Sequence, residues 1–275
     1  MEFMAAEIGV WLSRCAAVPM GIKFPQSRVD FIMQHSESAM LITEETMDEI
    51  RDMTPINIIN QPETSDNALL IYTSGSTGNP KGILHTFESI DAAFPHIKLE
   101  VAKASAEETF ASMSPFYFIA IVMAYDFLRE GATVHIFSEE AKSDVEKLEQ
   151  YIQNNGITIA YIAPAMLKIF NNKSDSLKAV LMGSEKLTTQ HSKDGYTLCH
   201  LYGMTETECV VMAFEMPQYE MKNVPIGRCM LEHRIVDEDG NEAATESEGE
   251  LLLKGIFCKE YFKDPEQTAQ LYQDG

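Results

Sequence analysis

The stretch Tyr72-Thr73-Ser74-Gly75-Ser76-Thr77-Gly78-Asn79-Pro80-Lys81-Gly82 concentrates side chains suited to binding an anion. Gly75 and Gly78 carry no Cβ, so the backbone can turn tightly and approach a ligand. Successive N–H groups in such a turn form an anion-binding nest. The hydroxyls of Thr73, Ser74, Ser76 and Thr77 add donors, and Lys81 adds a mobile positive charge. Together these groups suit a polyphosphate. The apolar run Ala68-Leu69-Leu70-Ile71-Tyr72 leads in as a buried strand. The spacing is not that of a Walker A loop, because the Lys precedes Gly82 and no hydroxyl follows it. It is not the Gly-x-Gly-x-x-Gly of dinucleotide folds either. A flexible Gly/Ser linker would not be preceded by such a strand or contain Pro80-Lys81-Gly82.

This stretch resembles the phosphate loop of the adenylate-forming (AMP-binding) superfamily. That superfamily includes acyl-CoA synthetases, luciferases and the adenylation domains of nonribosomal peptide synthetases. Further matching segments follow in the family's order. They are Leu181-Met182-Gly183-Ser184-Glu185, Leu201-Tyr202-Gly203-Met204-Thr205-Glu206-Thr207 and Val224-Pro225-Ile226-Gly227-Arg228, then Gly249 to Gly255 and Tyr261-x-x-x-Pro265-Glu266-x-Thr268. The resemblance covers almost the whole chain. It implies attack of a carboxylate on the α-phosphorus of ATP, giving an acyl-adenylate and pyrophosphate.

By the same resemblance, the loop and Lys81 hold the β- and γ-phosphates. Gly183, Ser184 and Glu185 border adenine, and Tyr202 lies against it. Gly203 belongs to the turn that closes the nucleotide site. Thr205 hydrogen-bonds the α-phosphate, and Glu206 helps hold Mg²⁺. Thr205, Glu206 and Lys81 are the implied catalytic set. Their types fit these roles: an oxygen ligand suits a hard cation that also binds phosphates, and a hydroxyl can donate to a phosphoryl oxygen as charge develops there. The implied acceptor is a carrier protein or CoA, with other chains as possible completing partners. A non-catalytic nucleotide-binding or fold-only regulatory protein is the competing class, and an acyl-CoA synthetase is the close relative.

The acid pocket is also read by resemblance, aligning on Gly131-Ala132. Phe118 falls where amino-acid-activating domains carry an Asp for the substrate amine. Ile119, Val122, Tyr161, Val180, Met182, Leu201, Cys209 and Val210 map to the other lining positions, and nearly all are apolar. An α-ammonium would be buried there without a counter-charge, at a cost of several kcal/mol. This implies an aryl or aliphatic acid without a free α-amine. The bland alternative is that these positions are core. The family often has a His a few residues after its loop; Phe87 stands there, and His85 reads as a surface or core-edge residue.

The elements that must position these groups alternate. Strands are expected over Thr109–Met113, Ala132–Phe137, Ile157–Ile162, Lys178–Met182 and Tyr196–His200, with helices over Phe118–Leu128, after Ser143-x-x-Glu146 as a capping box, and from Pro164. This predicts an α/β fold with a doubly wound, mainly parallel sheet. Helices are also expected over Met4–Leu12, after Phe24-Pro25 and over Ile83–Ala93, the last aiming its positive end at the loop. A short strand is expected over Ser38–Thr43, and residues 44–66 read as a surface connection. Past residue 220 the short strands Arg234–Val236 and Leu251–Lys254 suggest a small β subdomain, so the expected division is 1–220 and 221–275.

The family's opening segment, its Thr-Gly-Asp ribose motif and its C-terminal domain with a catalytic Lys have no counterpart in this sequence. The resemblance therefore implies weak or no adenylation by this polypeptide alone. With 42 acidic and 21 basic residues the net charge is −21, which disfavours nucleic acid and anionic membrane as partners. Five scattered cysteines, none in a Cys-x-x-Cys pair, point to reduced thiols and a cytoplasmic location. The seven histidines show no metal-ligand spacing.

Overall fold

The computed structural model describes every residue except 1, 56–60, 75–79, 97–102, 186, 188, 191–194 and 273–275. The chain opens with α1 (Glu2–Leu12), α2 (Gln26–Ser36), α3 (Glu44–Asp52), β1 (Asn67–Thr73), β2 (Lys81–Thr86) and α4 (Phe87–His96). It continues with β3 (Thr109–Ser112), α5 (Val122–Arg129), β4 (Thr133–Ile136), α6 (Glu139–Ser143), α7 (Val145–Asn154), β5 (Ile159–Tyr161), α8 (Pro164–Leu167) and β6 (Ala179–Gly183). Then come β7 (Thr189–Gln190), β8 (Thr197–Tyr202), β9 (Met212–Glu215), β10 (Met221–Lys222), β11 (Arg228–Cys229), β12 (Glu232–Val236), β13 (Glu250–Lys254), β14 (Glu260–Tyr261) and α9 (Pro265–Leu271). Two compact units result. The first comprises Met1–Ala92, Ser114–Val122 and Phe257–Gly275; the second comprises Ala93–Met113 and Met123–Ile256.

The second unit holds a sheet of order β11-β9-β8-β6-β5-β3-β4. Strands β4, β3, β5, β6 and β8 run parallel, and β9 and β11 are antiparallel additions at one side. The fold is thus mixed α/β with a mostly parallel central sheet, as the alternation of elements implies. Side chains alternate between faces along a strand. Ala160, Val180 and Leu198 stand side by side in the register. They join one core with Leu148 and Ile152 of α7 and with Phe170. On the other face, Phe110 of β3 stacks on Phe127 of α5, with centroids 4.1 Å apart and planes 2° from parallel. Helices therefore cover both faces. Strands β12 and β13 pair with each other in a separate two-stranded sheet, and Asp237 Oδ1 closes the turn after β12 by accepting from the N–H groups of Asp239 and Asn241.

The cap of α7 differs from expectation. Asp144, not Ser143, is the N-cap, accepting from the N–H groups of Glu146 and Lys147. An ionised carboxylate at the positive end of a helix outcompetes a hydroxyl one residue earlier. Ser143 instead donates to the Glu139 carbonyl within α6.

The first unit is built on the antiparallel sheet β1-β2-β14. Here the expected helix over Ile83–Ala93 is corrected: Lys81–Thr86 is a strand, and α4 starts only at Phe87. Ile83 pairs with Ile71 of the preceding strand on one side and with Tyr261, far along the chain, on the other, so both edges of β2 are satisfied. Such pairing overrides local propensity. Thr86 and Ser89 exchange side chain–backbone hydrogen bonds where α4 begins. Residues 38–43 form no strand, and the presumed surface connection contains α3, capped by Thr43. Ile32 of α2 packs on Leu70, Tyr72 and Leu84. His85 is fully buried rather than at a surface or core edge. No helix among the described residues is long and apolar enough to cross a membrane.

The Phe110–Phe127 stack sets a stability test. Phe127→Ala is expected to lower the unfolding free energy by about 3–5 kcal/mol, read by urea denaturation. Leu128→Ala, one residue on at a 41 % exposed position, should cost no more than about 1 kcal/mol.

Candidate nucleotide site

Strand β8 ends at Tyr202, and the chain leaves the sheet at Gly203 to make one tight turn over Thr205–Thr207. The N–H of Met204 donates to Thr207 Oγ1 at 3.1 Å, and the N–H of Cys209 donates to the Met204 carbonyl at 3.3 Å. The loop closes where the N–H of Val211 donates to the Tyr202 carbonyl at 2.9 Å. Two left-handed residues bring the chain back, Glu208 at φ 58° and Cys209 at φ 93°. A Cβ on residue 203 would overlap the Cys209 carbonyl oxygen, so only glycine permits this closure.

Thr205, Cys209 and Val210 are buried, Tyr202, Gly203 and Glu206 are half-buried, and Met204 is exposed. Burial, with Glu208 beside it, pushes the Cys209 thiol up to about 12, so it stays a neutral thiol.

The neighbouring parallel strand β6 ends level with β8, Gly183 opposite Leu201. A Cβ at Gly183 would stand 2.6 Å from the Leu201 carbonyl oxygen, so the two strand ends lie as close as glycine permits. The predicted groups Gly183-Ser184-Glu185 and Tyr202-Gly203-Thr205-Glu206 thus leave adjacent carboxyl ends of the same sheet. Open α/β sheets bind ligands outside the carboxyl ends of their strands. Ser184 and Glu185 are exposed, and Ser184 has φ 75°. Its Oγ shares a 2.8 Å hydrogen bond with the Tyr161 hydroxyl at the end of β5. Burial pushes the Tyr161 phenol up to about 12.

The apolar positions divide. Val180 and Met182 lie in the core shared with α7. Alternation places Tyr161, Leu181 and Leu201 on the opposite face, Tyr161 beside Leu181. The structure therefore does not bring Val180 and Met182 to the same face as Tyr161 and Leu201. Phe118, Ile119 and Val122 belong to the first unit; Phe118 is half-buried and the other two are buried.

In the first unit, β1 and β2 form a hairpin with Thr73 opposite Lys81. Ser74 is exposed, whereas Thr73 and Lys81 are half-buried. The expected phosphate-binding residues Gly75, Ser76, Thr77 and Gly78 lie outside the described residues. The Lys81 Nζ sits 5.8 Å from the centroid of the Tyr261 ring on β14, a cation–π contact that no local pattern signals. Tyr72, next to the loop end of the hairpin, shares a 2.8 Å hydrogen bond with His35 Nδ1, and burial pushes its phenol up to about 12. Burial, with Lys263 close by, lowers the His35 pKa and favours the neutral ring. Lys263 in turn donates to the His35 carbonyl and to Glu37, tying the chain after β14 to the end of α2.

Among the described residues no group of three His, Cys, Asp or Glu is placed to hold a metal. A single carboxylate such as Glu206 nevertheless suits a magnesium ion, which usually takes one or two carboxylates together with substrate phosphates and water.

Glycine-pinned turns on adjacent carboxyl ends of a mostly parallel central sheet place the chain among mixed α/β proteins. More narrowly, residues 1–261 match the model of the AMP-binding enzyme family, and the chain belongs to that family. It is 27 % identical over 314 residues to zwittermicin A synthase ZmaJ of Bacillus cereus, spanning 99 % of this chain and 59 % of that protein. The chain superposes on the N-terminal subdomain of Klebsiella oxytoca NpsA in complex with 3-hydroxyanthranilyl-AMSN. The TM-score there is 0.83 at 18 % identity, covering 98 % of this chain and 75 % of the other. A four-domain nonribosomal peptide synthetase, holo-AB3403 bound to AMP and glycine, gives a TM-score of 0.82 at 22 % identity, covering 99 % and 22 %.

Gly203→Ala is expected to distort the Tyr202–Val211 loop and to destabilise the protein by roughly 2–4 kcal/mol, measured by chemical denaturation. Gly9→Ala, in α1 with nothing within 4 Å of the added methyl, should instead be stabilising by about 0.5–1 kcal/mol.

Proposed function

We propose that this chain is the nucleotide- and acid-binding core of an enzyme that activates a carboxylic acid with ATP. The observation that carries the reading is the Tyr202–Thr207 turn, with Thr205 buried and Glu206 half-buried beside Gly183-Ser184-Glu185, in a chain of the AMP-binding enzyme family. In this reaction a carboxylate oxygen attacks the α-phosphorus. The bond from that phosphorus to the bridging oxygen breaks, and pyrophosphate leaves with the electron pair. The protein contributes position and charge stabilisation.

Tyr202 packs against the base, and the Gly183–Glu185 backbone borders it. The Thr205 hydroxyl donates to an α-phosphoryl oxygen. Lys81 and the loop that precedes it take the β- and γ-phosphates. A magnesium ion bound with the nucleotide supplies charge neutralisation at the phosphates, and Glu206 is the carboxylate that holds it.

The acid is proposed to be aryl or aliphatic, without a free α-amine. By resemblance, Phe118 falls at the sequence position of an amine-binding Asp, and none of the positions Tyr161, Leu201, Cys209 and Val210 is acidic. The proposed acceptor of the activated acyl group is a carrier protein, since relatives of this chain are peptide-type synthases.

Calorimetry separates these roles. Lys81→Ala should weaken ATP·Mg²⁺ binding about 10- to 100-fold and leave AMP binding unchanged, because a charge-assisted hydrogen bond to the outer phosphates is lost. Equal losses for ATP and AMP would remove Lys81 from the phosphate role. In a pyrophosphate-release panel, aryl and aliphatic acids should exceed α-amino acids; the reverse order would refute the acid class.

A further inference from the structure

We propose that Tyr161 is a positioning residue whose hydroxyl, bonded to Ser184, holds the Gly183-Ser184-Glu185 turn in its ligand-facing conformation. The inference rests on the reading that this turn borders a nucleotide. Ser184 has φ 75°, a region that L side chains rarely adopt. The residue is exposed, so core packing does not hold it there. Its Oγ instead reaches the Tyr161 hydroxyl at 2.8 Å. Tyr161 is 7 % exposed and fixed in β5, paired in register with Leu181 of β6. From the other side, Gly183 is pressed against the Leu201 carbonyl of β8. The turn is thus gripped from both flanking strands, by backbone proximity at β8 and by one phenol at β5. A phenylalanine would line an apolar pocket as well as Tyr161 does; only the hydroxyl accounts for the grip on Ser184.

A double-mutant cycle tests this, with ATP·Mg²⁺ as the calorimetric probe. Tyr161→Phe keeps the ring and is expected to weaken ATP binding about three- to tenfold, the worth of one hydrogen bond. Glycine adopts φ 75° without help, so in the Ser184→Gly background the same Tyr161→Phe change should cause no further loss. An equal loss in both backgrounds, or no loss in either, would overturn the inference. If the wild-type chain binds no ATP, the nucleotide reading is what fails. The same cycle read as urea midpoints then decides the inference: coupling between positions 161 and 184 upholds the grip on the turn, and additivity rejects it.

Discussion

The site depends on backbone atoms placed too close for any side chain. At Gly203 the chain leaves β8 and passes directly under the Cys209 carbonyl, and at Gly183 the end of β6 meets the Leu201 carbonyl. These two approaches set the separation of neighbouring strand ends. They also force the return path through left-handed Glu208 and Cys209. Residues in that region persist only when their surroundings over-determine them. The over-determination here comes from the Val211–Tyr202 and Cys209–Met204 hydrogen bonds and from burial of Thr205, Cys209 and Val210. The backbone at Thr205 is thereby held, with its side chain buried.

The β1–β2 hairpin poses a different problem. Lys81 opens a strand, so no helix begins there to lend a dipole, and in the proposed reading the positive charge at that end is that of Lys81 itself. The ammonium is held near the Tyr261 face, whose attraction is weak and non-directional compared with a carboxylate's. A carboxylate partner would have neutralised the charge and competed with a phosphate. An aromatic face restrains the side chain while leaving the charge available.

Much of this architecture was legible in the residues. The parallel sheet could be read from β-branched and apolar runs separated by helices with clear ends, such as Asn155-Gly156 after α7 and Pro164 at α8. The strand-end turns at Gly183 and Tyr202 could be read by their resemblance to segments of the adenylate-forming family, following the glycine- and hydroxyl-rich stretch in the family's order. Other features were hidden because they depend on partners far away in the chain. Ile83-Leu84 carries no local sign that Glu260-Tyr261, some 180 residues on, will pair with it. The division of the apolar positions was hidden for a related reason. Alternation says that Val180 and Met182 share a face, but only the register with β5 and β8 says which face, and α7 claims it. The Tyr161–Ser184 bond needs both that register and a left-handed Ser184, and neither is written in the local sequence.

If a protein of net charge −21 is to bind a nucleotide, as proposed above, the attraction must be local. At physiological ionic strength, charges more than about 8 Å apart across solvent are largely screened from each other. Ion pairs such as Lys254–Glu232 and Lys263–Glu37 lie exposed on the surface. Such pairs contribute little stability and little field at a distance. Short-range donors act within hydrogen-bond reach, where screening is weakest, so in the proposed reading an acidic exterior would slow the approach of an anion without preventing its capture.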